Sequence, residues 1–150
     1  MTDHSVKHST FTLERTYAAS PAAVFAAWSD RETKAKWFAA EDSRYSLDFR
    51  VGGTEAVHGG DGGDAVDLVA TSEYHDIVPD ERIVYTTALF TDEVLSTVSL
   101  TTVQFARDGD GTRLVLTEQG TFLDDQEQPE WREQGTGNWL DALGRQVAQR

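Results

Sequence analysis

A chain of 150 residues fits one domain, long enough to bury roughly two thirds of the surface its unfolded form exposes. Its 26 acidic residues against 13 basic ones give a net charge of -13, which repels phosphate backbones and anionic lipid surfaces and argues against nucleic acid as a partner. The absence of cysteine excludes disulfides, thiolate metal ligands and a cysteine nucleophile together.

Residues 1–8 read as a flexible polar tail and 9–150 as a single domain. Phe11 and Leu13, extending to Tyr17, predict a first strand among threonines that suit a pleated surface. Ser20-Pro21 then starts a helix, with Ser20 as N-cap and Pro21 where a missing N–H costs nothing, and Val24, Phe25 and Trp28 turn inward. Ser29 and Glu32 have capping-box spacing, which predicts a second short helix through Trp37 and Phe38.

From Arg44 onward the period changes to two. Tyr45, Leu47, Phe49 and Val51 alternate with polar residues and predict a half-buried strand that bends at Gly52-Gly53. Further strands are expected over Thr54–His58, Val66–Tyr74, Ile83–Leu89 and Val94–Phe105, separated by the Gly/Asp-rich hairpin at 59–64 and the turn at Val78-Pro79-Asp80-Glu81. Asp108-Gly109-Asp110-Gly111 reverses the chain into a last strand. Its inward register through Leu114 and Leu116 also points Thr112 and Glu118 inward if the alternation is unbroken.

From Pro129 onward, Trp139, Leu140, Leu143 and Val147 recur at helical spacing. Gly135, Gly137 and Gly144 each weaken a helix interior by about 1 kcal/mol relative to alanine, so this helix must be held by what it packs on. The order β, α, α, several antiparallel strands, α is an α+β arrangement in which a curved sheet wraps a long terminal helix. A bent sheet cannot touch a straight helix along its whole length, so a cavity between them is expected.

Several stretches resemble one known family: Ser20-Pro21-Ala22-Ala23-Val24-Phe25-Ala26-Ala27-Trp28, Lys36-Trp37-Phe38, Asp48-Phe49-Arg50-Val51-Gly52-Gly53, Tyr74-His75-Asp76-Ile77-Val78-Pro79, Glu81-Arg82-Ile83-Val84-Tyr85 and Thr112-Arg113-Leu114. The chain is similar to SRPBCC-superfamily proteins grouped as bacterial homologues of the activator of the ninety-kilodalton heat-shock-protein ATPase. The resemblance runs from about Phe11 to Val147. It implies a START-like, helix-grip fold, in a superfamily of lipid carriers, hormone receptors, polyketide cyclases and aromatase-like enzymes. Chaperone activation is not carried over, because the eukaryotic activators dock through an additional N-terminal domain.

Glu118 is the sharpest polar candidate. Buried in an apolar cavity, its carboxyl would serve as acid or base; at the rim it would be solvated or hydrogen-bonded. Trp139 on the gripped helix, Leu143, Phe49, Tyr85, Val103 and Phe105 are the other expected ligand-binding residues, although core packing alone would account for aromatic and aliphatic groups at these spacings. Trp28, Trp37 and Trp131 fall under the same two readings. His58 and His75 stand in no paired motif, and His4 and His8 lie in the tail. No metal-ligand spacing, nucleophile elbow or cofactor motif is recognisable, so no metal or cofactor is expected.

The expected function is binding of a small hydrophobic or aromatic ligand between the sheet and the C-terminal helix. The alternatives are a proton-transfer enzyme (cyclase, lyase or hydrolase) using a cavity carboxylate, or a protein-interaction module without ligand. A homodimer is compatible with either. The N-terminal residues lack a secretion signal's apolar core and no apolar run reaches the ~18 residues of a membrane helix, so membrane insertion is not expected and a cytoplasmic location is.

Overall fold

The computed structural model describes residues 4–39, 43–59 and 67–148. Among them, seven strands pair in one antiparallel sheet: β1 (Val6–Tyr17), β2 (Arg44–Leu47), β3 (Thr54–Gly59), β4 (Leu68–Val78), β5 (Arg82–Thr91), β6 (Val94–Asp108) and β7 (Gly111–Leu123). The spatial order is β1-β7-β6-β5-β4-β3-β2, so the first strand closes one edge beside the last. Period-two burial holds along β7, where Thr112, Leu114, Leu116, Glu118, Gly120 and Phe122 share the buried face. Register shifts between Tyr74 and Asp76 and between Leu89 and Phe90 mark the irregularities that let such a sheet curve.

Expected boundaries move: β4, β5 and β6 run on past Tyr74, Leu89 and Phe105, and two shifts are larger in consequence. β1 begins at Val6, pairing with Leu123, and so takes in three residues assigned to the tail. The strand expected to run to Val51 ends at Leu47. Asp48 to Gly53 forms a loop in which Gly53 N–H donates to the Arg50 carbonyl at 2.7 Å, and Val51 is 61% exposed instead of inward. The hairpin expected at 59–64 lies outside the described residues beyond Gly59, although β3 and β4 pair as it requires.

Helix α1 (Pro21–Ser29) is capped by Ser20, whose hydroxyl accepts from Ala23 N–H at 3.2 Å. For α2 (Arg31–Phe38) the cap is Asp30, whose carboxylate accepts from Thr33 N–H at 3.0 Å; Ser29 instead donates to the Ala26 carbonyl. The N-cap therefore stands one residue later than Ser29, and the expected capping box does not form. A carboxylate at this position also opposes the positive end of the helix dipole. Trp37 donates its indole N–H to the Ala27 carbonyl at 2.9 Å, binding the two helices together.

Helix α3 (Pro129–Ala148) buries Thr136, Gly137, Leu140, Leu143 and Val147. Gly144 makes close approach to β1 feasible: a Cβ there would stand 3.1 Å from the Tyr17 ring. The Tyr17 hydroxyl completes this contact by donating to the Leu140 carbonyl at 2.8 Å. The main core lies between α1, α2 and the lower half of the sheet, with Phe25 edge-on to Phe105 and Phe49 at centroid distances of 5.5 and 5.7 Å. Pinned to β1 on one side, α3 leaves a gap on the other, opposite β3 to β6.

Candidate functional site

That gap is a cavity of about 280 Å³, just below the size range of drug-sized ligand pockets. Each sheet strand from β3 to β7 contributes to its floor, from Val57 and Ala70 through Tyr85 and Leu89 to Thr101 and Glu118. Small side chains create the space: Ala70, Ser72, Ser99 and Thr101 stand where bulky residues would fill the core. Ser72 and Thr87 satisfy each other at 2.8 Å, leaving that part of the floor nearly neutral. Phe38 of α2 and Trp131, Thr136 and Trp139 of α3 form the roof. Trp131 is 63% exposed, while Thr136 is buried with no hydrogen-bond partner for its hydroxyl among the described residues.

One polar group of the wall is Glu118. The unbroken register of β7 buries it, and Arg132, seven residues before Trp139 on the same side of α3, meets it at 2.7 Å from Nη1 to Oε2. Arg132 also bonds Glu127 at 3.0 Å and donates to Thr97 Oγ1. The other Glu118 oxygen, Oε1, has among the described residues only a 3.5 Å contact from the Thr101 hydroxyl. Burial pushes the Glu118 carboxyl above its ordinary range, with Arg132 opposing the shift.

The second polar group lies at the α2 end. Glu55 of β3 lines the cavity and pairs with Lys34 of α2 at 2.6 Å. Tyr74 donates to Glu55 Oε1 at 3.1 Å, and Tyr45 donates to Oε2. Lys34 Nζ stands 4.5 to 5.9 Å from the centroids of the Phe38, Trp28, Tyr74, Trp37 and Tyr85 rings. Burial pushes this ammonium below its ordinary range while Glu55 holds it up. Tyr85 lies between the two carboxylates. Burial, then Glu55 and Glu118, raise its phenol, which therefore remains a hydrogen-bond donor.

Of the expected site residues, the structure brings Trp139, Tyr85 and Glu118 to the cavity wall. Leu143, Phe49, Val103 and Phe105 lie in the packed core or against it and are not among the lining residues. Trp28 and Trp37 are core, edge to face at 4.9 Å. His58 bridges Arg44 and Asp67 at the end of β3, and His75 bonds Thr86 at the β4 irregularity. No group of three or more candidate metal ligands occurs among the described residues.

Sequence reasoning missed Lys34, Glu55 and Arg132. A signal existed for two of them. Lys34 precedes Trp37 and Phe38 by three and four residues, on their helix face, and counting back from Leu143 by helical steps through Trp139 and Thr136 reaches Arg132.

Residues 18–148 match the model of a family described as activator of Hsp90 ATPase homolog 1-like protein. Among solved structures, the Mll3558 protein of Rhizobium loti is 43% identical, with a TM-score of 0.90 over 95% of this chain and 99% of that one. A Rhizobium leguminosarum protein is 38% identical, with a TM-score of 0.92 over 98% of this chain and 99% of that one. CalU16 of Micromonospora echinospora shares the fold at 19% identity, with a TM-score of 0.68 over 99% of this chain and 87% of that one. Comparison with curated proteins finds no match.

Proposed function

The chain belongs to the activator of Hsp90 ATPase homolog 1-like family of SRPBCC proteins, and on that basis we propose that it binds a small hydrophobic or aromatic molecule between its sheet and α3. The observation that carries this reading is the cavity itself. Its wall combines four aromatic rings, aliphatic floor residues and a few convergent polar groups, the composition typical of small-molecule sites. No helix among the described residues is long and apolar enough to cross a membrane.

A neutral fluorescent probe, N-phenylnaphthylamine, tests the reading. It should bind saturably to one site per chain, and Ala70→Trp, which places an indole in the floor, should weaken binding by about tenfold or more. Absence of binding, or equal binding to the variant, would overturn the proposal.

The raised carboxyl of Glu118 favours a second reading, proton transfer on the bound molecule. In this reading Glu118 is the general acid or base and Tyr85 orients the substrate. Glu118→Gln would then abolish turnover while leaving affinity for a neutral substrate largely intact.

A further inference from the structure

We infer that the cavity selects organic cations, an aromatic or alkyl ammonium whose N–H groups donate to Glu118 Oε1, over neutral and anionic molecules of the same shape. This deepens the reading of the cavity as a small-molecule site and rests on it. The charged lining residues are Glu55, Glu118, Glu127 and Arg132, and Lys34 lies behind Glu55. Lys34 answers Glu55, but the single guanidinium of Arg132 is shared between Glu118 and Glu127. Among the described residues, one negative charge on the wall is therefore uncompensated.

Hydrogen bonding points the same way. Glu55 accepts at both oxygens, whereas among the described residues Glu118 Oε1 has only the long Thr101 contact. Glu118 Oε1 is an acceptor that a donor-rich group would satisfy. The rings of Phe38, Tyr85, Trp131 and Trp139 line the same space, and the face of an aromatic ring attracts a cation and repels a carboxylate. An anionic ligand such as a fatty acid would meet the opposite of what its headgroup requires.

Isothermal titration calorimetry with naphthylmethylamine, naphthylmethanol and naphthoate of one ring isomer isolates charge from shape. The amine should bind about tenfold more tightly than the alcohol, and naphthoate weakest of all. Glu118→Gln should remove the amine's advantage, bringing the ratio of the amine and alcohol affinities close to one. Naphthoate binding as tightly as the amine would overturn the charge selectivity and leave the binding reading standing, as would an amine preference that survives in Glu118→Gln. Failure of all three to bind, together with failure of the neutral dye, would overturn both.

Discussion

Lys34 Nζ lies 2.6 Å from Glu55 Oε2 with both side chains sealed from solvent, at 0% and 2% exposure. The pair clamps α2 to β3 and so sets the position of Phe38, which roofs the cavity. Removing one partner strands a buried charge, so Lys34→Met should destabilise the protein by about 3–5 kcal/mol. Lys34→Met combined with Glu55→Gln should be less destabilising than Lys34→Met alone, because no uncompensated ion remains. Urea unfolding followed by tryptophan fluorescence measures both; equal losses would show that the ion pair is not what holds α2.

Glu118 gives the protein a pH signature. Its carboxyl lies above the ordinary value of 4.5 in the folded state, so the native chain binds that proton more tightly than the unfolded one. The stability it contributes is full below pH 4.5 and is lost as pH rises through the folded value. The stability of the wild type relative to Glu118→Gln should accordingly fall as pH rises through that window. Urea midpoints of the two proteins from acid to neutral pH provide the measurement, and a difference independent of pH would contradict the burial of an ionisable Glu118.

The architecture was legible where side-chain period and packing agree. Thr112, Leu114, Leu116 and Glu118 alternate as read, and Ser20-Pro21 starts α1 as its chemistry requires. Recognition of the family rested on the same stretches. β2 was overread because Phe49 and Val51 keep the apolar alternation after hydrogen bonds within the loop have turned the chain, and no periodicity reports such bonds. Asp30 was overlooked as a cap because Ser29 and Glu32 carried the familiar spacing one residue earlier.

The site was less legible than the fold because its space comes from small residues and its charge from pairs. Ala70, Ser72 and Ser99 look like ordinary strand residues, and only their convergence opposite α3 gives them meaning. Lys34 sits in a charged octapeptide that reads as a solvated helix; its burial follows from Glu55, 21 positions away in sequence and adjacent only in the fold. Val103 and Phe105 share an inward register with cavity residues, yet α1 fills the sheet at the level of Phe105 and also covers Phe49 in the loop after β2.

Gly53 is required by the loop after β2. A Cβ there would fall 2.1 Å from the Asp48 carbonyl oxygen, a backbone atom that cannot swing aside. Gly53 also accepts from Tyr74 N–H at 3.0 Å, tying the loop to the strand that carries the Tyr74 phenol to Glu55. Gly53→Ala should lower stability by about 2 kcal/mol or more, and the melting temperature by several degrees. A melting temperature equal to wild type would show that the loop relaxes freely.

Tyr17 anchors α3 opposite the cavity. Loss of its buried bond to the Leu140 carbonyl in Tyr17→Phe should cost about 1 kcal/mol, with the ring contact to Gly144 retained. Gly144→Val should cost more, because the added methyls must displace the Tyr17 ring and move the helix that roofs the site. Thermal unfolding of both variants checks the order; a Gly144→Val protein as stable as wild type would contradict the close approach.

The claim that the space under α3 is a binding site is tested most directly by native mass spectrometry of freshly purified protein. An occupied site would show as a species heavier than the bare chain that loses a discrete small molecule on activation or denaturation, and that is absent from Ala70→Trp prepared in the same way. A bare mass in the wild type that stays bare after incubation with N-phenylnaphthylamine and with naphthylmethylamine would contradict the claim.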